Sequence, residues 1–187
     1  YHYDQDGTLI RPITSGFWDV REILGIKDGV NNKDWIYFSA TEHSPISIHT
    51  YRVRLDGTNF DRLTTKEGTH QSKFSPDKAY FIDTWSNLSM PSEVRLHDSG
   101  GLELRQLETS TAPSVSNFEM GTTERFQVRT RDGFTLEALM IKPPDFNPDR
   151  KYPVLCHVYG GPSKSMVQDI WGGRTNLWHH MLSQRGT

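Results

Sequence analysis

Apolar residues in this chain fall into short runs separated by turn residues, and the arrangement recurs. The stretch Tyr3-Asp4-Gln5-Asp6-Gly7-Thr8-Leu9-Ile10-Arg11 returns as Tyr51-Arg52-Val53-Arg54-Leu55-Asp56-Gly57, and again as Val94-Arg95-Leu96-His97-Asp98-Ser99-Gly100-Gly101-Leu102-Glu103-Leu104. The period is about 45 to 50 residues. Each copy predicts a strand, a tight Asp-Gly or Ser-Gly-Gly turn and a second strand, because such turns need backbone angles that glycine adopts without a steric penalty. Two further strands are expected between copies: Asp19–Leu24 and Asp34–Ser39 in the first unit, Ser72–Ser75 and Ala79–Asp83 in the second, the latter pair joined by Ser75-Pro76-Asp77-Lys78. Four strands per unit at this period fits a β-propeller blade.

Two such blades are legible, roughly Val20–Thr64 and Gln71–Glu108, preceded by the outer hairpin of a third. A closed ring needs roughly four or more blades, so the pattern is part of a propeller. A small β-sandwich built from the same hairpins is the alternative. In two isolated blades, Trp35, Tyr37, Phe74 and Phe81 are expected to be poorly covered.

The periodicity lapses at Thr109–Ser114, a Ser/Thr/Pro stretch that reads as a boundary. Beyond it, Glu124–Arg129 and Leu136–Ile141 flank the turn Thr130-Arg131-Asp132-Gly133, predicting another hairpin. Three prolines in Lys142–Pro148 forbid ladder donors and give an extended loop. The apolar run Tyr152-Pro153-Val154-Leu155-Cys156-His157-Val158-Tyr159 then predicts a buried strand that delivers a Gly160-Gly161-Pro162 turn. Apolar spacing at Leu177, Trp178, Met181 and Leu182 predicts a helix, with Asn176 as its cap and Gly186 as its stop. Hairpin, buried strand and helix in that order is how an α/β-hydrolase domain starts. The expected fold class is therefore mainly β: residues 1–112 as C-terminal blades of a β-propeller, followed by residues 113–187 as the first strands and helix of an α/β-hydrolase domain.

Charge narrows the function classes. Over 187 residues, 21 basic and 23 acidic side chains leave a net charge of −2 with no run of one sign, the opposite of a nucleic-acid or acidic-membrane footprint. No apolar stretch approaches the roughly 18 residues of a membrane span, and the first residues read as internal rather than as a signal peptide. The lone Cys156 excludes a disulfide framework and is expected to be a small core residue.

Three segments, in this order, carry a family resemblance: Thr14-Ser15-Gly16-Phe17-Trp18-Asp19-Val20, Gly68-Thr69-His70 with Phe74-Ser75-Pro76-Asp77, and Val158-Tyr159-Gly160-Gly161-Pro162. Together they resemble the dipeptidyl peptidase IV branch of the prolyl oligopeptidase family of serine peptidases. The resemblance implies an enzyme that removes Xaa-Pro or Xaa-Ala dipeptides from peptide N-termini, with the propeller filtering substrates by size. It implies that Tyr159 supplies an oxyanion-hole hydroxyl. Gly160 and Gly161 would let the backbone turn beside the substrate, and Pro162 would stiffen the exit. His70 would be structural, bonding a neighbouring strand. Relatives of this kind are often periplasmic or extracellular dimers, so a homo-oligomer outside the cytoplasm is the matching expectation.

The rest of such a catalytic apparatus is absent from these residues. No Gly-x-Ser-x-Gly string occurs; Gly161-Pro162-Ser163-Lys164-Ser165 lacks the last glycine and stands in the wrong loop. Nor is there a Glu-Glu pair of the kind that holds a substrate amino terminus in this family, and His157 stands where relatives often carry an acidic residue. The 187 residues alone are therefore expected to be inactive. The strand edges and apolar face of a partial hydrolase sheet are expected to be exposed, favouring association. No cofactor is expected, and no metal either, since His43 and His49 sit in a Ser/Pro loop and His179 and His180 face different sides of a helix. Asn87-Leu88-Ser89 matches the glycosylation triplet. A non-catalytic β-propeller module, peptide-binding or structural, is the alternative function.

Overall fold

Turn chemistry and alternating side chains decide the architecture. The computed structural model describes residues 1–29, 34–109, 117–161 and 165–186. Strands β1 (His2–Tyr3) and β2 (Leu9–Arg11) form a hairpin. Next comes a four-stranded antiparallel sheet of β3 (Val20–Lys27), β4 (Trp35–Ala40), β5 (His49–Arg54) and β6 (Asp61–Arg62), each beside its sequence neighbour. A second sheet repeats the plan with β7 (Thr69–Phe74), β8 (Tyr80–Ser86), β9 (Glu93–Asp98) and β10 (Glu103–Glu108). The hairpin of β11 (Thr122–Arg129) and β12 (Thr135–Lys142) follows, and helix α1 (Gly173–Gln184) lies against β12.

The four-strand repeat read from the sequence is thus present twice, with a hairpin before it. The turn between β11 and β12 is closed by Thr130 N–H donating to the Phe134 carbonyl at 2.8 Å, and Gly133 there holds φ at 89°. That angle lies in the left-handed region, which explains glycine after Asp132.

The core sits on the two faces of β4. Ile36, Phe38 and Ala40 point one way and join Tyr51 and Val53, with Ile13, Trp18 and Leu55 packed against them. Tyr37 points the other way, toward the second sheet, and meets Leu63, just after β6, and Phe81 of β8, flanked by Leu24, Trp35 and Phe74. Period-2 alternation on one buried strand therefore builds both a core within the first sheet and the seam between sheets. Against the expectation of poor cover, Tyr37 and Phe81 are buried, while Trp35 and Phe74 are half-buried against them. Ring centroids of Tyr37 and Phe74 lie 4.5 Å apart and those of Phe74 and Phe81 4.8 Å apart, so the seam residues cover one another. The β9–β10 turn closes on this seam: a Cβ on Gly101 would meet the Leu63 carbonyl oxygen at 2.7 Å, and φ there is 92°.

Three expectations are corrected. Residues 151–160 form no strand, and the side chains intended for a core are exposed: Val154 at 88%, Leu155 at 57% and Val158 at 76%. A strand is stable only when its backbone groups pair, and among the described residues no strand lies against this run. Cys156, placed in that run, is exposed rather than a core residue. Helix α1 begins three residues before Asn176, whose amide donates to the Gly172 carbonyl at 3.4 Å; it is inside the helix and does not cap it. The stop stands: Gly186 holds φ at 81° and donates to the Ser183 carbonyl at 3.1 Å.

Candidate functional site

Tyr159 and Gly160 follow the non-strand run 151–158, and Pro162 lies outside the described residues. Tyr159 is half exposed, and its ring folds back over Gly161, where a Cβ would meet the phenolic oxygen at 2.5 Å. Glycine at 161 is what lets the ring lie there. The run touches the helix through His157, whose ring meets that of His179 edge-on at 5.6 Å. The His179 and His180 side chains both have pKa values below the usual imidazole range, because burial disfavours the charged ring and the adjacent histidine repels it.

Beyond the loop, the chain returns to the sheets through Asp169. Its backbone N–H donates to the Ile46 carbonyl at 2.7 Å, and its carboxylate accepts from Leu88 N–H at 3.1 Å and from Arg125 Nη1 at 3.4 Å. Trp171 N–H donates to Ser86 Oγ at 3.2 Å. Asp169 thereby ties the residues around it to the β4–β5 loop, the β8–β9 loop and β11. The β8–β9 loop, β11, α1 and the residues around Asp169 line an open cleft of about 420 Å³ that includes Glu67, Asn87, Ser89, Arg125, Trp171 and His180. The sequence carries no signal for Asp169, since its partners are 44 to 123 residues away.

Histidines supply a second unforeseen feature. His49 is the first residue of β5, fully buried, rather than part of a loop. Its ring lies 5.1 Å from that of His43 and 4.8 Å from that of His70. His70 Nδ1 is 2.7 Å from Asp83 Oδ2 on the neighbouring strand β8, the structural bond expected of it. His43 pairs with Glu67 at 3.0 Å, and that hydrogen bond holds the Glu67 carboxyl below its usual range. Among the described residues no group of three or more His, Cys, Asp or Glu side chains is arranged to hold a metal ion.

Comparison with known proteins supplies the family. Residues 1–92 match the model of the dipeptidyl peptidase IV (DPP IV) N-terminal region. Probable dipeptidyl-aminopeptidase B of Emericella nidulans is 37% identical over 161 residues, covering 83% of this chain and 17% of that protein. Its counterpart in Aspergillus clavatus is 35% identical over 160 residues, with the same coverage. The crystal structure of Porphyromonas gingivalis dipeptidyl peptidase 4 superposes with a TM-score of 0.88 at 33% identity, covering 98% of this chain and 26% of that one. Paired four-stranded antiparallel sheets followed by a hairpin and a helix are thus an arrangement shared with a peptidase. The chain belongs to the dipeptidyl peptidase IV family. It spans 17% of the length of the curated relatives it matches.

Proposed function

We propose that this chain is the segment of a serine exopeptidase that presents Tyr159 to the reacting carbonyl, in a protein that releases Xaa-Pro or Xaa-Ala dipeptides from peptide N-termini. Residues 1–112 act as propeller blades and residues 113–187 as the opening of an α/β-hydrolase domain. The observation that carries this reading is the likeness over 98% of the chain to a dipeptidyl peptidase 4, together with the Tyr159-Gly160-Gly161 sequence that follows the β11–β12 hairpin.

Catalysis of this type needs a serine to attack the carbonyl, a histidine to shuttle the proton and an aspartate to orient it, none of which these residues offer on a nucleophile elbow. The role left to this chain is electrostatic. A neutral phenol donates a hydrogen bond to the oxygen that becomes negative in the tetrahedral intermediate, and the Tyr159 residue is half exposed. Gly160, Gly161 and Pro162 are the substrate-loop residues of this reading. The exposed faces of Val154, Leu155 and Val158 are where parallel strands of the hydrolase sheet would pack.

The test is hydrolysis of Gly-Pro-p-nitroanilide and Ala-Ala-p-nitroanilide by the whole protein that contains this segment and by the 187 residues alone. The reading expects release of p-nitroaniline by the first and none by the second. No hydrolysis by the whole protein, with its fold intact by circular dichroism, would leave a non-catalytic peptide-binding or structural module.

A further inference from the structure

The two sheets meet through a short polar seam as well as through the apolar one. His70 N–H, at the start of β7, donates to the Ile48 carbonyl just before β5, at 2.8 Å. Beside it, Thr50 on β5 and Ser72 on β7 share a hydrogen bond of 2.7 Å, and Ser72 Oγ donates onward to Asp83 Oδ1 at 3.2 Å. The rings of His49 and His70 pack at 4.8 Å across the same seam.

Proton positions in this cluster follow from the acceptors. His70 faces Asp83 Oδ2 at 2.7 Å through Nδ1 and the Lys66 carbonyl at 2.9 Å through Nε2, so both of its ring nitrogens are engaged. His49 Nδ1 faces the Thr64 carbonyl at 2.9 Å, which places its single hydrogen there. His49 Nε2 is buried with no protein partner. A second hydrogen at Nε2 would therefore be a buried donor without an acceptor, on a cation stacked beside His70.

Among the described residues the carboxylates beside this cluster already have partners, although the charge of Glu67 does attract a charged His49. His43 from the β4–β5 loop, Arg62 from β6 and His70 from β7 all disfavour a charged His49. Glu67, from the loop before β7, is engaged by His43, and Asp83 of β8 is engaged by His70 and Ser72. We propose that the His43, His49 and His70 array is an acid-responsive joint, which holds the first sheet on the second while His49 is neutral and loosens it when His49 takes a second proton.

Burial, followed by repulsion from His70, pulls the pKa of His49 down from 6.5 to about 4. The folded value lies below the unfolded one, so the stabilisation is complete above pH 6.5 and is lost progressively as pH falls toward 4. The full loss corresponds to about 300-fold in the folding equilibrium, from a shift of about 2.5 units.

Urea unfolding of the chain between pH 7 and pH 4 provides the test, comparing the unaltered protein with His49→Asn, whose amide can donate to Thr64 but cannot titrate. Between pH 7 and pH 4, where half of the folded molecules have taken up the proton, the pH dependence of the unaltered protein should exceed that of His49→Asn by about 100-fold in the folding constant, at constant m. Amide exchange at Thr50 and His70 should accelerate first as pH falls. Equal pH dependence in the two proteins would overturn the proposal. If His49→Asn does not fold, NMR titration of the unaltered protein decides: a His49 ring that titrates near pH 6.5, with the amides of Thr50 and His70 undisturbed, overturns it equally.

Discussion

Replacing Phe81 by alanine tests whether the seam between the sheets holds this structure together. Phe81 is 1% exposed on β8, an interior strand of its sheet, paired with Phe74 of β7 on one side and His97 of β9 on the other. Its ring lies 4.8 Å from that of Phe74 and stacks on that of His97 at 4.8 Å with 8° between planes. Removing a buried phenylalanine costs about 3 to 5 kcal/mol, the sum of lost burial and of the cavity left behind. The backbone on both sides is fixed by ladder hydrogen bonds and the opposite wall by fully buried Tyr37, so the gap cannot close, and the upper half of that range is expected. With a denaturant slope of about 2 kcal/mol per molar urea, the midpoint should drop by about 2 M. Fluorescence of Trp85, on the same strand, reports the transition, and Val154→Ala at an 88% exposed position serves as the control that should hardly move. A Phe81→Ala midpoint within 0.5 M of the parent, an approximate threshold set by the slope, would refute the seam as the principal core.

Other outcomes follow from single contacts. Gly101→Ala combines a φ of 92° with a Cβ 2.7 Å from the Leu63 oxygen, and should lower stability by more than about 1 kcal/mol in thermal or urea unfolding. Asp169→Ala removes the acceptor of Leu88 N–H and the partner of Arg125; the exposed Arg125 adds little, so a loss of about 1.5 to 3 kcal/mol is expected, with faster amide exchange at Leu88 and Asp169-flanking residues. Unchanged exchange at Leu88 would show that Asp169 does not anchor the segment.

What the sequence could reveal depended on the range of the interaction. Hairpins at Asp6-Gly7, Asp56-Gly57 and Asp132-Gly133 were readable because their determinants are adjacent residues: a side chain that accepts local N–H groups and a glycine free to turn. The repeat of four strands was readable for the same reason. The run 152–159 misled because apolar, β-branched content predicts a strand only when another strand pairs with it, and composition says nothing of the partner. Asn176 misled because a capping residue type one position before an apolar pattern is a local signal, whereas α1 starts earlier, at Gly173. Neither the Asp169 tether nor the alignment of His43, His49 and His70 could be read locally. His49 and His70 are 21 positions apart and meet only because β5 and β7 lie side by side at the seam between sheets. The role proposed for Tyr159 rests on the family pattern alone, and its ring is half exposed.

The most direct test of the account is the effect of Tyr159→Phe on steady-state hydrolysis of Gly-Pro-p-nitroanilide by the whole protein that carries this segment. The substitution removes one hydroxyl and keeps the ring over Gly161. If Tyr159 donates to the developing oxyanion, kcat should fall by about 100-fold to 1000-fold with KM little changed. A kcat within about threefold of the parent, a difference of well under 1 kcal/mol in barrier, would contradict the assignment of Tyr159 to the reaction.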